Sequence, residues 1–174
     1  MSQVPRSEYP RPQFVREQWL NLNGEWSFSF DDNDRGETEE WFKDKKFPHQ
    51  ITVPYCYQSD LSGIDDKERH NIVWYQRDFE LPESMAGKEI ILNFEAVDYK
   101  TKVWINGQLV GQHKGGHIPF NFNITNALKE GRNQITVRVE DNNERIQPIG
   151  KQSWKEDNFL CWYTRTTGIW QTVW

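Results

Sequence analysis

The chain has 174 residues, which suits one domain whose core buries roughly 70% of the surface exposed by the unfolded chain. Its 21 Lys and Arg stand against 26 Asp and Glu, and a net charge of -5 offers no basic field for a nucleic-acid backbone. No run approaches the roughly 20 apolar residues that span a bilayer, and the opening MSQVPRSEYPRPQF lacks the apolar stretch of a signal peptide. The expectation is a cytoplasmic protein, unless a leader precedes it, with neither membrane nor nucleic acid as partner.

In chain order, residues 1–20 read as an extended lead-in. Asn23-Gly24 then opens a half-buried strand in which Trp26, Phe28 and Phe30 alternate with Glu25, Ser27 and Ser29. A short helix is expected over Thr38 to Lys43. In WYQRDFEL the residues Tyr75, Phe79 and Leu81 share a face with Arg77, which must be paired there or reach the rim of the sheet. Ile90, Leu92, Phe94 and Ala96 form the next inward set, and Tyr99, Thr101, Val103 and Ile105 the one after it. Asn106-Gly107 between two β-rich runs is a strong hairpin signal, because a type I′ turn needs φ > 0 at both central positions. A turn over Ile124 to Lys129 has Thr125 as its expected cap. Ile135, Val137 and Val139 alternate with polar neighbours, and Ile169 to Trp174 reads as the last strand. Helical periodicity is almost absent, so the fold class is all-β, and eight or so strands suggest a jelly-roll sandwich.

Two strand-free stretches, Pro54 to Asn71 and Asn142 to Thr167, are longer than a compact domain usually carries without a purpose. Function in a sandwich sits on such end loops. The second stretch holds Trp154, Trp162 and Tyr163, and aromatic faces of this kind stack on the apolar faces of sugar rings. The chain has nine Trp in all, and most are expected to be core.

Catalytic signals are missing. Glycoside cleavage needs two carboxylates facing each other about 5 Å apart for retention or about 6.5 to 9.5 Å for inversion. The acidic pairs at Asp31-Asp32, Glu39-Glu40, Asp65-Asp66 and Glu156-Asp157 are chain neighbours, and neighbours on an extended chain point to opposite faces. His113 and His117 flank Gly115-Gly116, which makes a metal-binding helix implausible there. Cys56 and Cys161 are expected to be free thiols. No cofactor, metal or catalytic residue is expected in this chain.

The succession LNLNGEWSF, ITVP, VWYQRDFELP, VWINGQLVGQHKGGHIPFNFNIT, NQITVRVED and TGIWQTVW resembles the N-terminal sugar-binding domain of family 2 glycoside hydrolases. That family includes β-galactosidases, β-glucuronidases and β-mannosidases. The resemblance implies one galactose-binding-like jelly-roll over residues 1–174. It would be followed in the parent by an immunoglobulin-like sandwich and a TIM barrel carrying the two catalytic glutamates. It also implies three partners: a β-linked carbohydrate, the parent's own barrel and further copies of the parent. β-Galactosidases and β-glucuronidases carry a sugar-contacting aspartate six residues before the glycine of the last motif. Here that glycine is Gly168 and the position is Trp162. Asn71 lies near a second sugar contact of the β-galactosidases. The substrate-facing candidates are therefore Asn71, Trp154, Trp162, Tyr163 and Arg165. The alternative for the last three is a packed loop, with Arg165 paired to Glu156 or Asp157. A free-standing carbohydrate-binding module and a purely structural interface domain are the rival readings of the whole.

Overall fold

The computed structural model describes residues 4–142, 147–155 and 157–174. It is built almost wholly of antiparallel β-structure. The strands are β1 (Gly24–Phe30), β2 (His49–Val53), β3 (Ile72–Glu80), β4 (Ile91–Phe94), β5 (Val97–Asp98), β6 (Lys100–Ile105), β7 (Gln108–Lys114), β8 (Phe120–Asn123), β9 (Arg132–Glu140) and β10 (Gly168–Ile169). Six of them form one sheet in the order β2-β1-β3-β9-β6-β7. The second layer pairs β4 with β8 and β5 with β10.

Register explains the core. Phe28 stands opposite Tyr75, Tyr75 opposite Val137, and Val137 opposite Val103, so one row of side chains crosses four strands facing inward. All four are buried, and Leu92, Phe94, Val97 and Ile169 meet them from the second layer. This is the face picked out by the period-two alternation. Asn106 and Gly107 both have positive φ (51° and 81°) and close the β6–β7 hairpin as expected. Arg77 reaches the rim, where its Nη1 donates to the carbonyls of Asn23 and Glu25.

The other face of the six-stranded sheet is covered as well, which alternation did not foretell. Trp74 and Trp104 stack there at 5.4 Å, and Phe42 stacks on Trp104 at 5.0 Å. Phe47, Ile72 and Trp41 complete this second cluster. The excursion between β1 and β2 is pinned by Asp31, whose Oδ2 accepts from Trp74 Nε1 and the Gly36 amide and whose Oδ1 accepts from the Arg35 amide. The helix expected over Thr38 to Lys43 does not form. Glu40 adopts φ 52°, and the amides of Glu39, Glu40 and Trp41 reach back four, three and five residues respectively. The irregular turns let Trp41 and Phe42 both pack on the sheet.

Two further expectations are corrected. Thr125 does not cap its own turn: its Oγ1 accepts from the Ile90 amide, and Asn123 Oδ1 takes the Thr125 amide instead. The last strand is interrupted. After Ile169 the chain leaves β5, then re-pairs with β4 through Asn93 N–H to Trp174 O, Trp174 N–H to Asn93 O and Glu95 N–H to Thr172 O.

Candidate functional site at the loop end of the sandwich

The register places the C-terminal ends of β1 and β9 beside the N-terminal ends of β3 and β6, since Phe30 pairs Val73, Ile72 pairs Glu140 and Lys100 pairs Glu140. The stretch Pro54 to Asn71 arrives at this end to enter β3, and the stretch Asn142 to Thr167 leaves from it after β9. They meet there. Arg165 donates from Nη1 to the Lys155 carbonyl and from Nη2 to the Lys67 carbonyl, and Arg69 donates from Nη2 to the Trp154 carbonyl.

The second stretch doubles back on itself. Tyr163 N–H donates to Lys151 O and Ser153 N–H to Tyr163 O, forming a bridge between Gln152 and Tyr163. Trp162 and Phe159 form a tighter antiparallel bridge at the tip. These turns bring Trp154 to within 4.6 Å of Trp162 and 5.2 Å of Phe159, both edge to face, while Phe159 and Trp162 stack at 6.3 Å. Such aromatic contacts contribute about 0.5 to 1.5 kcal/mol each beyond area burial. Lys155 Nζ lies 4.2 Å over the Phe159 ring. Beside this triad Tyr163 is 63% exposed and Leu160 97% exposed.

The sequence candidates therefore separate. Trp154 and Trp162 are joined in one half-buried cluster with Tyr163 alongside. Asn71 is exposed and ties in through its backbone, its carbonyl accepting from the Asp141 amide. Arg165 is only 5% exposed and spans two carbonyls, so it is a strut between loops rather than a free guanidinium. Among the described residues no carboxylate, Asp157 included, forms an ion pair with it, and Glu156 lies outside the described residues. Phe159 and Arg69 escaped the sequence reading. Phe159 lies three residues before Trp162 in NFLCW, a spacing that carries no strand signal.

Beneath the loops is a buried polar layer. Gln152 Nε2 donates to Asp98 Oδ2 at 2.8 Å, and Gln152 Oε1 accepts from the Thr166 amide at 2.8 Å. Thr167 Oγ1 donates to Asp141 Oδ2 at 2.7 Å, and Gln58 Oε1 accepts from the Thr167 amide. Burial, together with the negative charge of Asp141, pushes the Asp98 carboxyl up to about 7. Tyr57, whose hydroxyl donates to the Glu68 carbonyl and accepts from the His70 amide, is pushed up to about 12 by burial. Asp98 and Asp141 are both almost fully buried, so neither is presented to a bound substrate as a catalytic acid would be. Cys56 and Cys161 are free thiols. Among the described residues no three metal-ligating side chains converge. No described helix is long and apolar enough to cross a membrane.

The chain is thus a jelly-roll-type β-sandwich whose end loops display an aromatic cluster over a buried polar layer. Comparison with known proteins makes the class specific. Residues 19–173 match the model for "Glycosyl hydrolases family 2, sugar binding domain", and the chain belongs to that family. A β-galactosidase of Thermoanaerobacter pseudethanolicus is 31% identical over 163 residues, covering 90% of this chain and 19% of the relative. A β-glucuronidase of Paenibacillus borealis is 33% identical over 138 residues, covering 76% and 22%. Among solved structures, the β-glucuronidase of Lactobacillus rhamnosus superposes with a TM-score of 0.64 at 29% identity, covering 70% of this chain and 21% of that one. The chain thus spans about a fifth of the length of these relatives.

Proposed function

We propose that this chain is the non-catalytic N-terminal domain of a retaining β-glycosidase, packing on the enzyme's catalytic barrel and lending its aromatic loop to the rim of the substrate pocket. The observation that carries this reading is the Trp154–Phe159–Trp162 cluster, flanked by exposed Tyr163 and Leu160, at the end where both long loops converge. Leaving such apolar area in water is unfavourable by about 25 cal/mol per Å², which an abutting domain and a sugar ring would recover. The named activities of the relatives, β-galactosidase and β-glucuronidase, support a β-linked glycoside as the substrate class. Trp162 stands where those enzymes are expected to carry a sugar-binding aspartate, so contact here is by stacking rather than by a carboxylate hydrogen bond. In this reading the cleaving carboxylates are carried by another domain of the enzyme.

The test is Trp162→Ala in the complete enzyme. A loss of about 10- to 100-fold in kcat/KM is expected, about 1.4 to 2.7 kcal/mol of transition-state stabilisation, with a separate stability loss no larger than the about 1 to 3 kcal/mol of its two ring contacts. Wild-type kinetics, or a loss that only tracks the loss of folded protein, would return Trp162 to a packing role.

A further inference from the structure

Most attachments of the aromatic loop run from loop to loop. Arg69 and Arg165 bind carbonyls of Trp154, Lys155 and Lys67, all in the two long stretches. Thr167 and Gln147 reach Asp141, but Asp141 is the residue from which the loop itself departs after β9, and Thr167 lies where it re-enters β10. Gln152 is different. It lies mid-loop, two residues before Trp154, is almost fully buried, and its side chain reaches the sandwich itself at Asp98 of β5. The same amide group holds the returning arm through the Thr166 amide.

Asp98 is a firm anchor. It pairs with Gly168 across the β5–β10 ladder, and the backbone of Gly116 lies so close that a Cβ at 116 would sit 2.5 Å from Asp98 Oδ1. Among the described residues, Asp141 is the charged group that faces it from just beyond β9, and Gln152 faces it from the loop. We propose that the Gln152–Asp98 contact is the joint that sets the position of the aromatic loop, which makes Gln152 a positioning residue for the carbohydrate-facing rim. Its importance to the rim rests on the function proposed above, whereas the joint itself does not.

An amide donates to a carboxyl oxygen whether or not the acid carries its proton, so the native joint holds across neutral pH. Gln152→Glu keeps the acceptor for Thr166 but places a second carboxyl against Asp98, and that pair needs a shared proton. The joint in this variant should close at low pH and open at high pH. Adding Asp98→Asn reverses the polarity of the bond, with the new amide at position 98 donating to the new carboxylate at position 152, and should close it again.

Hydrogen–deuterium exchange of peptides spanning 151–166, corrected for the intrinsic pH dependence of exchange, reads the joint directly. Wild type at the same pH is the reference. Gln152→Glu should match it at pH 5.5 and lose at least about tenfold protection at pH 8.5, with β3 and β9 peptides unchanged. The double variant should recover wild-type protection at pH 8.5. If Gln152→Glu unfolds altogether, recovery in the double variant still supports the joint. Wild-type protection of Gln152→Glu at pH 8.5, or failure of the double variant to recover, overturns it. A released loop with unchanged kcat/KM in the complete enzyme would leave the joint standing and sink the sugar-contact reading instead.

Discussion

Replacing Asp98 by Asn should stabilise the protein at pH 8 and leave it close to the wild type at pH 4. The folded-state carboxyl is raised from an ordinary 3.8 to about 7, first by burial and then by the charge of Asp141, against a smaller opposing effect of the Gln152 hydrogen bond. The unfolded chain therefore gives up this proton first. Between about pH 4 and pH 7 the folded form holds more protons than the unfolded form, so wild-type stability falls as pH rises through that window and levels off above it. At about 1.4 kcal/mol for each tenfold, the full effect has a ceiling of about 4 kcal/mol, of which about 2 to 3 kcal/mol lies between pH 5 and pH 8. Asn keeps an oxygen to accept from Gln152 Nε2 at nearly the same volume, so the titration is removed with little else changed. Urea unfolding at half-unit steps from pH 4 to pH 8 measures the difference. The variant's curve should cross from near-equality to a clear excess of stability. Parallel curves for the two proteins would show that Asp98 ionises as freely in the fold as in the unfolded chain, and the reasoning would fall.

Gly168→Ala should be severely destabilising, by more than about 3 kcal/mol, because φ is +98° and the added Cβ would lie 1.9 Å from the hydroxyl of the fully buried Tyr75. Gly131→Ala, at φ +74° in open space, should cost only about 1 to 2 kcal/mol, and equal urea midpoints for the two variants would refute the steric argument. Asp31→Ala removes three acceptor contacts, including that to Trp74 Nε1, and should cost about 2 to 4 kcal/mol. A red shift of tryptophan emission below the global unfolding midpoint would mark local release of the β1–β2 excursion; an unshifted spectrum with unchanged stability would count against its pinning role.

The parts of the fold legible in sequence were those governed by local chemistry. Asn106-Gly107 announced a hairpin because few other residue pairs adopt two positive φ values, and the β9 alternation announced its inward face because Val137 and Val139 recur at the period of a strand. The second hydrophobic cluster stayed hidden. Trp74 and Trp104 face away from the main core, and what covers them comes from a segment with no periodicity of its own. The same holds at the loop end. Trp154 and Trp162 could be singled out as aromatics on a long loop, but Phe159 and the strut role of Arg165 depend on bridges and carbonyl contacts between distant segments. The six-residue offset before Gly168 located Trp162 only because the chain resembles a family whose pattern has an aspartate there.

Cations on the sheet and cations at the loop end are used differently, and that difference bears on what the loop end can recognise. On the outer face of the six-stranded sheet, Arg138 meets the carboxylates of Asp34, Glu37 and Glu140, and Lys102 meets Glu37. At the loop end, Arg69 and Arg165 bind neutral backbone carbonyls. A guanidinium on a carbonyl needs no partner to ionise, so these contacts persist at acid pH, where a carboxylate partner would take up its proton. Arg165 is thereby turned inward, whereas Arg69 stays exposed with its Nη2 on the Trp154 carbonyl. The rim then presents the half-buried rings of Trp154, Phe159 and Trp162, the exposed ring of Tyr163, and two exposed cations, Arg69 and Lys155, the latter with Nζ 4.2 Å over the Phe159 ring. In the proposed parent the rings would hold the C–H face of a sugar by area and polarisability, which alone does not separate a neutral hexose from its uronic acid. Any preference for an acidic sugar lent by this chain would then come from Arg69 and Lys155, and the rest of the choice from residues outside it.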